Sequence, residues 1–384
     1  MALMDPQLDV YRIENAEEII TPALIVYPEI VDANIRAVLR MAGNDAIRWR
    51  PHIKTVKAER ILKQLIGYSV VNFKCATTLE LLTVCEAGAA DVLLAFPVVG
   101  ANARRTIEIA SEQKKTRVSV LIESPEQFEP WRNTPIGVFI DVNPGMNRTG
   151  IAQERASEIV AIARSTGKQF RGLHYYDGHM SAYTGQERDN QAHEGYDRLM
   201  KIARSLTDSG IPIEEIITSG TPAAPCAMSY APFLDQPFVH RISPGTLVFN
   251  DMTSLGQFPD SGFAPAAVIL STVVSHPAPG YITCDAGHKS VSADAGVPTC
   301  SVIGHPELVP LKPSEEHLPM QVEFEGRTPA IGEKLYLLPR HVCPSVNNFD
   351  EALVALKGRV DCIMPITARG HERSLAGVAV RTTA

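Results

Sequence analysis

Short β-branched runs alternate with helical stretches over the first two-thirds of the chain, and this rhythm constrains the fold more than any other feature. The predicted strands cover 46–49, 69–73, 92–96, 118–122, 138–142, 172–176, 215–219 and 240–242. The predicted helices, rich in Ala, Glu, Leu and Arg, cover 33–41, 58–64, 78–87, 101–112, 156–165 and 186–209. Strands that alternate with helices indicate βαβ units and a parallel sheet. About eight units of roughly 25–30 residues fit a (β/α)8 barrel.

A doubly wound open sheet is the alternative for the same rhythm, but no Gly-x-Gly-x-x-Gly motif opens the first helix. After about residue 260 the texture changes. Predicted strands at 267–274, 281–285, 319–324, 334–338 and 375–382 are separated by Pro and Gly turns rather than by helices. Such a series predicts an appended all-β domain behind the barrel.

Composition and charge exclude several classes of protein. Hydrophobic residues make up 45% and charged residues 21% of the 384 positions, as in ordinary folded proteins. The net charge of −7 argues against a nucleic-acid partner, because a phosphate backbone needs a basic surface. No apolar run of about 18 residues predicts a membrane span, and the acidic first 20 residues fit neither a signal nor a transit peptide. Seven scattered cysteines fit free thiols in a reducing compartment, so we expect a cytoplasmic protein.

Lys54 stands at the exit of the first predicted strand, in a basic stretch. Arg50, His52 and Lys57 surround it in sequence. Like-charge repulsion would favour its neutral amine, and the neutral amine is the form that attacks a carbonyl carbon to give a Schiff base. An ordinary basic loop is the alternative interpretation of this stretch.

Polar and glycine residues gather at the ends of further predicted strands, where barrels of this type carry their active sites. Ser219, Gly220 and Thr221 have the composition of an anion nest, in which backbone N–H groups and two hydroxyls could approach a phosphate. A plain turn is the alternative for such a segment.

Three other residues at predicted strand ends are candidates for binding or proton transfer. Arg148 lies behind a glycine-containing turn and could donate hydrogen bonds to an anionic oxygen of a cofactor or substrate. Tyr176 could contact phosphate through its hydroxyl, and His179 could shuttle protons. In isolation, a surface salt bridge explains Arg148 equally well. A histidine that only bonds loop carbonyls explains His179 equally well. With the polar segment 243–246 after the last predicted barrel strand, five polar strand ends together favour a ligand site.

In the β-rich part, His341 and Cys343 are two residues apart. On an extended segment their side chains would point to the same side. Imidazole and thiolate together suit Zn²⁺ or a similar borderline metal. Two protein ligands would leave positions open to water or substrate, as a catalytic site requires. Coincidence is the alternative for a lone pair of this kind, and no Cys-x-x-Cys spacing indicates a closed structural zinc site.

Taken in order, these motifs resemble the D-threonine aldolase and D-serine dehydratase family of pyridoxal-phosphate enzymes, which shares the alanine-racemase-like fold. The resemblance runs through nearly the whole chain. It rests on Arg-Pro-His-Ile-Lys-Thr (50–55), Asn-Arg-Thr-Gly (147–150), Tyr-Asp-Gly-His (176–179), Gly-Thr-Pro (220–222), Pro-Gly-Thr (244–246), Phe-Asn-Asp (249–251), Asp-Ala-Gly (285–287), Glu-Glu-His (315–317) and His-Val-Cys-Pro (341–344).

The resemblance implies a cofactor-binding (β/α)8 barrel of fold type III at 22–260, and a β-domain built from 1–21 plus 261–384 that carries the metal site. It also implies a homodimer in which the β-domain of one subunit closes the site of the other. Lys54 would carry the Schiff base of pyridoxal 5′-phosphate, and Arg148 would contact its phenolic oxygen. Tyr176, Gly220 and Thr221 would hold its phosphate.

For the metal, the resemblance implies that His341 and Cys343 bind Zn²⁺, Mn²⁺, Co²⁺ or Mg²⁺ beside the β-hydroxyl of a D-β-hydroxy-α-amino acid. Loss of the hydroxyl proton would break the Cα–Cβ bond and give glycine and an aldehyde. Loss of the Cα proton and of hydroxide would instead give a 2-oxo acid and ammonia.

Three departures from the family pattern keep both reactions open. Cys343 stands where the better-known D-threonine aldolases are expected to have a carboxylate, whereas His and Cys occur together in the dehydratases. Ala182 stands where some aldolases are expected to have a further histidine, so no base is assigned to the hydroxyl. Arg340 could attract a second substrate carboxylate.

Two further functions stay open on the same fold. A racemase needs two acid/base groups on opposite faces of Cα and no metal, so the pair His341 and Cys343 argues against it. A non-catalytic cofactor carrier would need Lys54 but not that pair.

Overall fold

The computed structural model describes residues 6–259, 261–323 and 327–374. Its strands in chain order are β1 (Ala23–Val26), β2 (Asn72–Cys75), β3 (Asp91–Leu94), β4 (Arg117–Ile122), β5 (Gly137–Asn143), β6 (Ile151–Ala152), β7 (Phe170–Tyr175), β8 (Glu215–Thr218), β9 (Val239–Ile242), β10 (Ala267–Ala278), β11 (Tyr281–Cys284), β12 (Cys300–Val302), β13 (Leu308–Pro310), β14 (Leu318–Val322), β15 (Lys334–Pro339), β16 (Glu351–Leu356) and β17 (Arg359–Pro365).

The α-helices are α1 (Leu8–Tyr11), α2 (Pro28–Met41), α3 (Glu59–Gly67), α4 (Thr78–Glu86), α5 (Gly100–Glu112), α6 (Pro125–Phe128), α7 (Ala156–Thr166), α8 (Gly185–Asp208), α9 (Ala224–Ser229), α10 (Met252–Gln257) and α11 (Val342–Asn347). Short 3-10 helices lie at Ala16–Glu18, Ala46–Arg48, Glu129–Trp131, Gln153–Arg155, Gly167–Gln169, Gly178–Ala182, Ala231–Phe233 and Thr246–Val248.

Strands β2 to β9 form one parallel sheet in the order β2-β3-β4-β5-β7-β8-β9, with β6 attached to β5. The extended segment from Trp49 to His52 connects its two ends. Trp49 forms a parallel bridge to Ile242 of β9, and His52 forms one to Lys74 of β2. The seven strands and this segment close a ring with eight positions, which confirms the (β/α)8 barrel.

One predicted strand of the barrel is wrong. Residues 46–48 form a 3-10 helix instead, because the Asp45 side chain caps it by accepting the amide of Ile47 at 2.9 Å. The extended backbone begins only at Trp49. Pro51 lacks an N–H group, so this position of the ring is held by isolated bridges rather than by a regular ladder.

Apolar side chains from four strands of the barrel, β3, β4, β5 and β8, pack together. Leu93, Leu121, Phe139 and Ile217 form a cluster in which each side chain is almost fully buried. Strands covered on both faces read as continuous hydrophobic runs, and this is the pattern that made the barrel visible in the sequence.

A second sheet contains β1 and β10 to β17, in the order β13-β14-β11-β10-β1-β16-β17, with β15 pairing β10 and β12. Strand β1 is antiparallel to β10 and parallel to β16. Its core includes Tyr11, Tyr27, Leu270 and Tyr336. Four predicted strands of this region are found, at β10, β11, β14 and β15. The predicted strand at 375–382 lies outside the described residues.

The described residues group into two compact units. One unit comprises the described residues up to Arg40 together with Thr55–Ile61 and Gly245–Arg369. The other unit comprises Met41–Lys54, Leu62–Pro244 and the described residues from Gly370. The domain boundaries of 22–260 and of 1–21 plus 261–384 stay a prediction, and β1 pairs within the second sheet.

Two expectations from composition can be compared with the structure. All seven cysteines are free thiols. None of the described helices combines the length and the apolar character that crossing a membrane requires.

Candidate active site

Three cations surround the ring of Tyr176, the residue that follows β7. The Lys54 Nζ lies 6.0 Å, the Lys74 Nζ 5.6 Å and the Arg148 guanidinium carbon 4.7 Å from the ring centroid. Lys54 follows the bridging segment, Lys74 lies in β2 and Arg148 follows β5, so all of them belong to the carboxyl-end face of the barrel. The structure therefore brings together Lys54, Arg148 and Tyr176, which the sequence proposed as cofactor-binding residues.

The basic stretch around Lys54 is arranged differently from the expectation. Arg50 is fully buried and pairs at 2.8 Å with Glu215 and at 2.9 Å with Asp91, which open β8 and β3 at the amino-end face. Lys57 donates to the carbonyl of Ala368 at 3.2 Å. The prediction that Arg50 crowds Lys54 is therefore wrong, because carboxylates at the opposite end of the strands neutralise the charge of Arg50.

Two side chains hold the loop that carries Arg148. The Asn143 Oδ1 accepts the amides of Gly145 at 2.9 Å and Asn147 at 3.1 Å. The Thr149 hydroxyl donates to Asp141 at 2.7 Å. These bonds fix both ends of the turn, so that the exposed Arg148 is presented beside Tyr176 by a defined backbone.

Gly178 and Gly220 clamp the ring of Tyr176 from two edges. A Cβ atom at Gly178 would lie 2.6 Å from Cε1 of the ring, and one at Gly220 would lie 2.8 Å from Cε2. Both distances are too short for any side chain, so these glycines are required for the close approach of backbone to ring.

Replacing Gly220 with alanine should therefore lower the free energy of unfolding by about 1–3 kcal/mol, as for other overpacked sites. Gly67→Ala is the matched control, because a Cβ there would meet nothing within 4 Å. Urea unfolding of both variants measures the difference. Equal unfolding free energies would contradict the tight contact with Tyr176.

The Ser219 amide does not contribute to the expected backbone nest, because it donates to the carbonyl of Tyr175 at 3.2 Å. Burial raises the pKa of the nearby Asp177 to about 6. The hydroxyls remain as donors: the Ser219 Oγ is buried without a partner among the described residues, and the neighbouring Thr221 is buried. An unsatisfied buried hydroxyl at a strand end indicates a missing acceptor.

His179, the proton-shuttle candidate, lies in the 3-10 helix that follows Tyr176. Partial burial lowers its pKa, which favours the neutral imidazole. Its Nδ1 is buried and has no hydrogen-bond partner in the described part of the chain. Its Nε2 lies 3.9 Å from where a Cβ of Gly145 would be, against the loop of Arg148. A neutral histidine with an uncommitted nitrogen can accept or donate a proton there.

Sequence reasoning missed a buried chain of polar groups behind Tyr176. The Lys74 Nζ lies 2.8 Å from Nε2 of His174, and the His174 Nδ1 lies 2.7 Å from the Asp141 carboxylate. All three are nearly inaccessible. The signal was present in the sequence, because Lys74 is a charged residue between the apolar Phe73 and Cys75 in a strand whose residues are all buried.

These residues fit the pyridoxal phosphate that the resemblance implies. Three cations and an orphaned hydroxyl match an anionic ligand, Lys54 supplies an amine for an aldehyde, and the Tyr176 ring supplies an aromatic surface.

His341 and Cys343 form a second cluster, within the unit that contains the antiparallel sheet. The extended geometry expected for them is wrong, because helix α11 begins directly after His341 and Cys343 lies in its first turn. Their side chains still interact, because the Cys343 sulfur accepts from the protonated imidazole and so raises the pKa of His341. The Cys343 Sγ also lies 3.1 Å from the Thr55 hydroxyl and 3.6 Å from that of Thr246.

The surroundings of this pair are anionic. The His341 Nδ1 lies 2.7 Å from a carboxylate oxygen of Asp294. Burial opposes a charge on His341, but Cys343 and Asp294 outweigh burial and raise its pKa to about 9. The imidazole Nε2 and the Cys343 Sγ are the atoms of this pair that could hold a divalent cation. Among the described residues, no three or more His, Cys, Asp or Glu side chains are grouped so that they could hold a metal ion.

Comparisons with known proteins identify the family of the chain. The family described as "Alanine racemase, N-terminal domain" matches residues 28–251, and the "Putative serine dehydratase domain" matches residues 266–355. D-threonine aldolase of Arthrobacter sp. is 27% identical over 92% of this chain and 93% of its own length. D-threo-3-hydroxyaspartate dehydratase of Delftia sp. is 22% identical over 86% of this chain and 92% of its own length.

A crystal structure of D-threonine aldolase from Filomicrobium marinum superposes with a TM-score of 0.82 at 25% identity, over 92% of this chain and 96% of that one. Since the racemase-type domain matches more than half of the residues, the chain belongs to the alanine racemase N-terminal domain family, and its expected kinship with D-threonine aldolases and D-serine dehydratases is confirmed.

Proposed function

We propose that this protein is a pyridoxal-phosphate- and divalent-metal-dependent lyase that acts on D-β-hydroxy-α-amino acids and cleaves them to glycine and an aldehyde. The observation that carries the proposal is the group of Lys54, Arg148 and Tyr176 at the carboxyl-end face of the barrel. The relatedness to D-threonine aldolases over nearly the full chain supports it.

Each cofactor-binding residue has a defined task in this proposal. Lys54 holds the cofactor covalently, and Arg148 donates to its phenolic oxygen. Tyr176 and the hydroxyls of Ser219 and Thr221 bind its phosphate, while Gly220 allows the close approach. When bound, the cofactor withdraws electrons from the substrate Cα.

His341 and Cys343 hold the metal, which polarises the β-oxygen of the substrate as a Lewis acid. Asp294 accepts the Nδ1 proton of His341 and so directs Nε2 to the metal. His179 is the residue to which we assign the proton of the β-hydroxyl, because its buried Nδ1 is uncommitted.

Replacing Asp294 with asparagine should weaken metal binding about 10–100-fold, the usual loss when the carboxylate partner of a metal histidine is removed. Competition with a chromophoric chelator for Zn²⁺ measures this affinity without any turnover. Asp350→Asn, at an exposed carboxylate of the same unit, is the matched control. Equal Zn²⁺ affinity in both variants would remove Asp294 from the metal site.

One observation favours elimination to a 2-oxo acid and ammonia as the second candidate reaction. Cys343 supplies a thiolate where the aldolases are expected to have a carboxylate, and the relative from Delftia sp. is a 3-hydroxyaspartate dehydratase. Hydroxide that leaves beside a thiolate-bound metal fits elimination.

Product analysis with D-threonine, D-serine and both D-3-hydroxyaspartates separates the possibilities. Glycine identifies an aldolase, and a 2-oxo acid with ammonia identifies a dehydratase. Turnover to the L-enantiomer that survives exhaustive chelation would identify a racemase instead. Inertness toward all four substrates with Zn²⁺, Mn²⁺, Co²⁺ and Mg²⁺ would identify a carrier of the cofactor.

We also propose a homodimer in the cytoplasm. The dimer rests on the resemblance, and the compartment rests on the seven free thiols. Analytical ultracentrifugation tests the dimer, and a monomeric species at all concentrations would contradict it.

A further inference from the structure

Lys74 is a buried amine that the proposed mechanism does not use. Only 2% of its surface is accessible. Its ammonium group makes one hydrogen bond within the described residues, to Nε2 of His174 at 2.8 Å. His174 in turn donates from Nδ1 to Asp141 at 2.7 Å, so Nε2 offers a lone pair and no charge. A buried ammonium whose hydrogen-bond partner is a neutral imidazole is electrostatically incomplete.

Neither of the nearby carboxylates hydrogen-bonds Lys74 within the described residues. Asp141 is bonded by His174 and by the Thr149 hydroxyl. Asp177 is bonded through Oδ2 by the Tyr196 hydroxyl at 2.7 Å, and its buried Oδ1 has no partner in the same part of the chain. No ion pair joins Lys74 to a carboxylate in the part of the chain that the structure describes.

The charges that face Lys74 come from several elements. Asp141 and Asp177 favour its charged form, whereas Lys54 and Arg148 oppose it and the paired Arg50 opposes it least. Burial is the largest effect, and together with these cations it lowers the pKa of Lys74 to about 7. The amine is therefore close to half protonated at neutral pH.

We infer that Lys74 is a further ligand-binding residue: its ammonium group recognises the negative charge of the ligand that binds against Tyr176, and the site takes up a proton on Lys74 when that ligand binds. The inference rests on the proposed function, in which the ligand is a phosphorylated pyridine. An anion close to Lys74 offsets the burial and the repulsion from Lys54 and Arg148. The charged amine is then favoured, and the proton comes from solvent.

The ligand-free site holds Lys74 with a lowered pKa, and the anion raises it. Affinity is therefore greatest at and below pH 7 and falls as pH rises above 7, by up to about tenfold per pH unit until the pKa of the bound state is reached. The second ionisation of the phosphate, at a pKa of about 6, is complete by pH 8 and adds nothing above it.

Pyridoxine 5′-phosphate is the suitable probe, because an alcohol replaces the aldehyde and no covalent bond to Lys54 can form. Calorimetric titration at pH 8, in two buffers with different ionisation enthalpies, gives the number of protons taken up. Wild-type protein should take up close to one proton per site, and its Kd should rise about tenfold between pH 8 and pH 9.

Two variants of Lys74 isolate the effect. Lys74→Met removes the charge, and Lys74→Arg keeps it permanently, so neither can take up a proton. Proton uptake should fall close to zero in both, with less than about a twofold change of Kd between pH 8 and pH 9. Lys74→Arg should bind more tightly than Lys74→Met. Circular dichroism verifies folding, and either variant alone suffices for the comparison of uptake.

Binding of the probe with no proton uptake, or with the same uptake in the Lys74 variants as in wild type, overturns the inference and leaves the proposed function intact. If wild-type protein binds neither pyridoxine 5′-phosphate nor pyridoxal 5′-phosphate, both the inference and the proposed function fall.

Discussion

Replacing Lys54 with alanine should abolish the visible absorbance of the cofactor-loaded protein and lower turnover of D-β-hydroxy amino acids by at least about 10²–10⁴-fold. That factor corresponds to the loss of one positioned acid/base group, and the lost covalent anchor adds to it. Absorbance spectra and steady-state kinetics of the purified variant, with saturating pyridoxal phosphate, measure both effects.

Lys63→Ala is the control for this experiment, because Lys63 is an exposed residue of helix α3. Its spectrum and turnover should match those of wild type. A Lys54 variant that kept the visible band and near-normal turnover would show that another amine, such as Lys74, carries the cofactor.

Replacing Arg50 with methionine should lower the free energy of unfolding by about 3–5 kcal/mol, the range for breaking a buried ion pair from one side. Arg50 bonds both oxygens of Glu215 at 2.8 Å and also reaches Asp91 at 2.9 Å, with no exposed surface. Its loss leaves the Glu215 carboxylate buried with fewer partners, at the amino-end face of the barrel. Denaturant unfolding at pH 7 measures the loss.

The exposed pair of Arg117 and Glu214 provides the matched control. It has similar bidentate geometry, at 2.8 and 3.0 Å, but nearly half of each side chain is in solvent. Arg117→Met should therefore cost less than about 1 kcal/mol. Equal costs for the two variants would contradict the structural role assigned to Arg50.

The ion pairs of this network stop stabilising the fold at low pH. Burial opposes ionisation of Asp91, but Arg50 and Arg171 outweigh burial and lower its pKa from 3.8 to about 2. A lowered pKa of a carboxyl stabilises the fold above the unfolded value. The contribution of Asp91 is thus complete above pH 4 and is lost as the pH falls toward 2.

The barrel could be predicted because its buried strands are continuous apolar runs that alternate with helices. Short or irregular strands escaped the same reasoning. Strands β12 and β13 have three residues each, too few to show a period. Strands β16 and β17 are joined by a tight turn with positive φ at Lys357 and Gly358, and Gly358 is the hairpin signal that the sequence carries there.

The active-site residues divide in the same way. Lys54, Arg148 and Tyr176 were found because strand ends converge in a barrel. Lys74 and Asp294 were not, because their importance depends on partners 100 and 47 residues away. Ser219 was proposed for both its amide and its hydroxyl, but the bond from the amide to the carbonyl of Tyr175 leaves the hydroxyl as the available donor. Tertiary contacts decide which acceptor each hydrogen-bond donor binds, so these partners cannot be predicted from composition.

The most direct test of the account is chemical mapping of the attachment site. Wild-type protein is incubated with pyridoxal phosphate, reduced with borohydride and digested, and the modified peptide is sequenced by mass spectrometry. The account predicts stable modification of Lys54. Modification of a different lysine, or of none, would contradict it.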